Sequence, residues 1–180
     1  MRHPFVFKAE KSIEAILYIA QYVEQPTFHR ISKVMYFADK VHLEKYGRFI
    51  CGDSYVAMKH GPVPMYTYDI LKVVRGDGFA PFFKETDIQL AEKAFIVIDK
   101  SLVKPLRAAQ LDYFSESDLE CLDGSIKEYG SMSFGQLTDL SHDKAWQAAD
   151  ENDHIDIEQI VATLTSTENL LDLLHEPCPG

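Results

Sequence analysis

Apolar residues near the start of the chain recur at helical spacing. Ile13, Ile16, Leu17, Ala20 and Val23 fall on one face, which predicts a first helix closed by Pro26. A second stripe runs through Ile31, Val34, Met35, Ala38 and Val41. Thr27 is its candidate N-cap, and Gly47 is placed to end it in the left-handed conformation. So short a connection makes the two helices antiparallel neighbours.

The period then changes. Cys51-Gly52-Asp53 reads as a turn, and over 54–60 Tyr55, Ala57 and Lys59 alternate with Val56, Met58 and His60, as in a short strand or extended segment. Gly61-Pro62-Val63-Pro64 cannot be helical, because each proline pushes the residue before it into extended geometry. Met65 to Val74 reads as a third helix, followed by a Gly76-Asp77-Gly78 loop. Residues 95–98 and 102–106 form a hairpin pattern around Asp99-Lys100-Ser101, with Pro105 putting the second strand at an edge.

Further on, Ser117-x-x-Glu120 matches a capping box for a helix carrying Leu119, Leu122 and Ile126 and ending at Gly130. Ser133-x-x-Gln136 opens another, with Phe134, Leu137 and Leu140 on its apolar face. Residues 150–156 make an acidic connector. A last helix then carries Ile157, Ile160, Leu164, Leu171 and Leu174 at heptad-like spacing, which can pack on the core or face a partner. Residues 176–180 read as a flexible tail. The sum is one helix-dominated α+β domain over 1–175 with a small antiparallel hairpin or sheet.

Composition adds the compartment. Of 180 residues, 46% are hydrophobic and 26% charged, the balance of a chain that builds its own core. Cys51, Cys121 and Cys178 are odd in number and far apart, which argues against a disulfide scaffold or zinc ribbon. Residues 1–11 are too short and polar for a signal peptide, and no apolar run is long enough to span a membrane, so a cytoplasmic protein is expected. The net charge is −10, with 18 cations scattered among 28 anions. Nucleic-acid binding by this chain alone is disfavoured, since such binders concentrate Lys and Arg against phosphates. An acidic surface favours encounter with basic partners.

The sequence carries no dinucleotide fingerprint, phosphate loop, zincin motif or nucleophile elbow. The densest polar patch is on the second helix, where Asp39, His42 and Tyr46 share one face. An Asp-His pair can orient an imidazole for general-base work, or supply two metal ligands, but no further donor is evident. A structural hydrogen-bond network explains the patch more simply. His60, ahead of Gly61, Pro62 and Pro64, is either a proton carrier or the residue that pins a tight bend through hydrogen bonds. In the second case His60→Ala should cost roughly 1–3 kcal/mol. His142 and Trp146, four apart, are placed to pack and cap a short helical turn, and His154 sits in a solvated acidic loop. An enzyme reading would need Asp39, His42 and His60 to converge in a cleft. No cofactor or metal is expected.

The spaced run containing Tyr36, Asp39, His42, Tyr46, Gly47, Gly52, Asp53, Tyr55, Met58, Gly61, Pro62 and Pro64 resembles the core motif of the Panacea domain, and the match extends through Tyr68-Asp69-Ile70-Leu71. A second block, Tyr113-x-Ser115-x-Ser117-Asp118-Leu119-x-x-Leu122, and a third, Leu140-Ser141-His142 with Ala145-Trp146, resemble later segments of the same family in the same order. Phe49 stands where members often have proline, and Met65 where a small polar residue is usual, which relaxes the local turn. The resemblance covers roughly residues 13–149. It implies an antitoxin that neutralises a co-encoded protein toxin by direct contact. One branch of the family instead acts as an adaptor delivering its toxin to an ATP-dependent protease. Phage-borne relatives make a prophage origin a further implication.

Overall fold

The computed structural model describes residues 3–78, 81–165, 167 and 170–175. Helix α1, Ala9–Tyr22, is buried on every side from Lys11 to Ala20, a deeper position than one apolar stripe implies. Helix α2, Phe28–Tyr46, starts where the Thr27 hydroxyl accepts the Arg30 amide at 3.2 Å and stops at Gly47, with φ of 71°. It is buried from both sides. Val34, Met35 and Ala38 join one apolar cluster with α1, while Tyr36, Phe37 and Leu43 join a second with Phe49, Tyr55 and Leu137. Val41, expected in the core, is exposed instead.

Two hairpins form where one was expected. Strands β1, Tyr55–Met58, and β2, Gly61–Pro64, pair antiparallel, with Tyr55 opposite Pro64 and Ala57 opposite Pro62. The prolines cost this ladder nothing, because the groups opposite them bond outward. Ala57 N–H donates to Asp153 O (2.9 Å), Ala57 O accepts from Asn152 N–H (2.7 Å), and Tyr55 O accepts from Ile155 N–H (2.8 Å). The acidic connector therefore keeps its charged side chains in solvent and buries only Ile155, while its backbone borders β1.

Helix α3, Met65–Arg75, ends at Gly76 with φ of 97°. Helix α4, Glu85–Ala94, was not foreseen, because its buried residues are only Ala91 and Ala94. Such small side chains leave no strong stripe. Strands β3, Phe95–Ile98, and β4, Leu102–Pro105, make the expected hairpin. It is tied to the α1–α2 connection by Phe28 N–H to Ser101 O (2.9 Å) and Val103 N–H to Pro26 O (3.0 Å).

After a 3-10 turn at Leu111–Tyr113 comes α5, Glu116–Tyr129. Its capping box is Ser115 with Asp118, not Ser117 with Glu120. The same spacing occurs two residues earlier, and the later pair is engaged elsewhere: Ser117 bonds His42, and Glu120 bonds Lys45 and Tyr46. Helix α6, Phe134–Ser141, has the expected Ser133–Gln136 box, but only Leu137 of its apolar trio is buried; Phe134 and Leu140 are exposed. Helix α7 is Lys144–Gln147.

The single terminal helix is a correction. The chain forms α8, Ile157–Val161, and α9, Leu170–His175, with turn and bend geometry at 162–165. The Thr163 hydroxyl donates to Ile160 O (2.7 Å), and Thr165 N–H donates to Glu44 (2.8 Å), side-chain and tertiary bonds that compete with helix propagation. Ile157, Ile160, Leu170 and Leu174 still bury in the second cluster. The expected tail, 176–180, lies outside the described residues. Among the described residues the fold is a helix-dominated α+β domain with two short antiparallel hairpins.

Two left-handed glycines separate backbone strain from crowding. A Cβ on Gly52, φ 70°, would stand 2.2 Å from the Val6 carbonyl oxygen, whereas one on Gly76 meets nothing within 4 Å. Gly76→Ala is expected to cost about 1–2 kcal/mol from φ alone. Gly52→Ala should cost a further ~1–3 kcal/mol through overpacking, measured by denaturant unfolding. Equal costs would contradict this placement of the N-terminal segment.

Candidate functional site

The polar side chains singled out in the sequence gather around α2, and four carboxylates organise them. Asp39 is wholly buried. It accepts the Ile50 amide on Oδ1 (2.7 Å) and the Tyr55 hydroxyl on Oδ2 (2.7 Å), holding the 48–55 loop to the helix. Asp53 accepts the Ser54 and Tyr66 amides on Oδ1 and the Thr67 amide and hydroxyl on Oδ2, so it anchors the first turn of α3. Burial pushes Asp39 up to about 7, against the Tyr55 and Ile50 bonds. It pushes Asp53 up to about 6, against the bonds from Thr67, Tyr66 and Ser54.

The third carboxylate, Asp118, joins α1, α2 and α5. Its Oδ2 lies 2.5 Å from Lys11 Nζ and accepts the Ser115 amide at 2.8 Å. Its Oδ1 stands 3.2 Å from His42 Nε2 and 3.0 Å from Arg48 Nη2, close polar contacts more than aligned hydrogen bonds. Burial opposes the charge, but the His42, Lys11 and Ser115 contacts overcome it and hold the carboxyl well below the usual range. His42 completes its shell through Nδ1 to the Arg48 carbonyl (2.9 Å) and Nε2 to Ser117 (3.0 Å). Tyr46 lies against the His42 ring and donates its hydroxyl to Glu120 at 2.8 Å.

The fourth carboxylate, Asp143, caps α7 through the Ala145 and Trp146 amides. It also accepts the Tyr36 hydroxyl (2.9 Å) and Lys40 Nζ (2.8 Å). The His142 ring stacks on Trp146 at 3.7 Å, and Trp146 Nε1 donates to Met58 O at 2.9 Å, fixing the third motif block to β1. Pro62 O accepts from Lys33 Nζ (2.8 Å), and Pro64 leads into α3.

His60 departs from the expectation. Its ring is exposed in the β1–β2 turn and meets Phe134 edge-on at 5.2 Å. The bend is held instead by Gly61, φ 102°, packed over Lys33 and Ser141. His60 shares no contact with Asp39 or His42, so the three do not assemble a catalytic cleft. Among the described residues, no group of three or more His, Cys, Asp or Glu is placed to hold a metal ion.

Sequence reasoning missed Asp143, Lys33, Lys11 and the central role of Asp118. Asp143 had a legible signal: an aspartate directly before a short Ala-Trp helix is a strong N-cap. Lys33 also had one, being a cation between the core residues Ile31 and Val34.

A helix-dominated α+β scaffold, in which three separated motif blocks meet on one central helix, is the class of protein that this geometry defines. The chain belongs to the SocA-like antitoxin family, Panacea domain, whose model matches residues 31–147, more than half of the chain. No curated protein and no solved structure gives a significant match. No helix among the described residues is long and apolar enough to cross a membrane.

Asp118→Asn keeps the shape but leaves Lys11 and Arg48 without their counter-charge, and should cost about 3–5 kcal/mol. The folded pKa of Asp118 is depressed, so its contribution is present above the unfolded value and lost as pH falls below about 5. Asp39 and Asp53 act in the opposite sense, so the difference between wild type and Asp118→Asn isolates the effect. That difference should shrink on acidification, read by urea unfolding across pH; a constant difference would exclude the ion-pair account. By contrast His60→Ala, at an exposed position, should change stability by less than about 0.5 kcal/mol in thermal denaturation.

Proposed function

We propose that this protein is an antitoxin that neutralises a co-encoded protein toxin by direct and lasting contact. The observation that carries the reading is the family match over residues 31–147. The commitment of Asp39 and His42 to internal bonds supports it, because it leaves the conspicuous polar patch no free group for chemistry.

The surface offers a site for such contact. A groove of about 1050 Å³ runs between the N-terminal segment, residues 82–87 and the start of α8. Val6 and Phe82 line it and are 80% and 78% exposed, the most exposed large apolar side chains among the described residues. Exposed apolar side chains gathered beside a concavity are a feature of protein-binding surfaces. The net charge of −10 steers the chain toward a basic partner. Association should slow as salt rises, since screening shortens the field to about 8 Å at physiological ionic strength. The dissociation rate, set by apolar anchors, should change little.

The experiment is co-expression with the adjacent reading frame and purification through a tag on one chain. Growth rescue with a recoverable complex is expected. The double variant Val6→Asp, Phe82→Asp should keep wild-type stability and lose the complex. Rescue without a complex would favour the adaptor mode, in which the toxin is degraded, and failure of both with a toxic neighbour would refute the proposal.

A further inference from the structure

A second concavity, of about 380 Å³, opens between the start of α2, the β1–β2 turn and the start of α6. Its volume lies in the range of small-molecule sites, roughly 300–1,000 Å³. The chain carries 28 acidic residues, yet none lines this pocket. Lys33, Lys59, His29, His60 and Arg75 do. Arg75 is neutralised by Asp77 at 2.7 Å, which leaves the two lysines as the site's cations. Neither has a carboxylate within ion-pair distance among the described residues.

Lys33 is the unusual member. It is 1% exposed and gives its ammonium only the Pro62 carbonyl, at 2.8 Å. Burial without a counter-ion pulls its pKa down to about 7. Burial, then the nearby Lys33 and His60, pulls His29 down to about 4. A buried cation lacking its counter-charge costs free energy that a bound anion would recover.

The other half of the pocket is aromatic. Phe134 is 53% exposed, yet it lies stacked on the His29 ring at 4.0 Å and edge-on to His60. Its outer face is open to a planar ligand. Phe28 and Tyr68 also line the pocket and meet each other edge-on at 6.0 Å. The pocket thus sets an unpaired ammonium beside an open aromatic face, the two features that hold a phosphate and a heterocyclic ring.

We propose that this pocket binds a small aromatic phosphate of the mononucleotide class, with the phosphate at Lys33 and Lys59 and the ring against Phe134. The site is separate from the groove assigned to the toxin, so its failure would leave the antitoxin reading untouched.

The test is calorimetric titration of the full chain with AMP, adenosine and inorganic phosphate. AMP should bind, and each half alone should bind at least about tenfold more weakly. Lys59→Glu and Phe134→Ala change exposed side chains and should leave the fold intact, checked by circular dichroism. Each should weaken AMP by about tenfold or more. Lys33→Met should abolish binding, and if it unfolds the protein the two surface variants still decide. No AMP binding at millimolar concentration would overturn the proposal. So would AMP affinity unchanged in both surface variants, or phosphate binding as tightly as AMP.

Discussion

From Ile31 to Asp39 helix α2 is buried all round, and such a stretch has no solvent face on which to place its polar residues. Lys33, Tyr36 and Asp39 lie within it, and His42, one turn on, is buried as well. Each must find its partner inside the protein, where an unsatisfied polar group is expensive and a satisfied one is strong. The partners come from four separate places in the chain: Pro62 O for Lys33, Asp143 for Tyr36, Tyr55 and Ile50 for Asp39, and Asp118 with Ser117 for His42. Satisfying one helix therefore positions β2, α7, the 48–55 loop and α5. Apolar burial makes the domain compact, and the polar ties decide which compact arrangement it is.

This explains why residues that look catalytic in the sequence are so densely spaced on α2 and yet spend their polar atoms on internal bonds. Asp39 and His42 share a helical face because two different remote segments must be held there, not because they act on one another. The outside of the domain carries a groove of about 1050 Å³ flanked by the uncovered Val6 and Phe82, and the charge is strongly acidic overall.

Much of the helical framework was legible, because it rests on local chemistry. The Thr27 cap, the left-handed Gly47, the loop at Gly76, the Ser133–Gln136 box and the 95–105 hairpin are all short-range signals. What failed was long-range. The role of Asp118 depends on Lys11, more than a hundred positions away, so no window around either could show it. The β1–β2 hairpin was hidden because a strand written Gly-Pro-Val-Pro looks unpaired until its register places both prolines opposite outward-bonding residues. Helix α4 was hidden by its alanines, and the long terminal helix was overread, since tertiary bonds at Thr165 outweigh a heptad-like stripe. His60 was misjudged because a histidine beside a tight bend is as readily outside it as under it.

The central claim is that α2 and the segments tied to it open only together. Native-state hydrogen exchange tests this most directly. The account predicts that the α2 amides from Ser32 to Leu43 share one opening free energy, equal to that of global unfolding, and that the buried amides of α5 and β1 exchange with them. Exchange of α2 through a smaller, separate opening, while α1 and α5 stay protected, would contradict it.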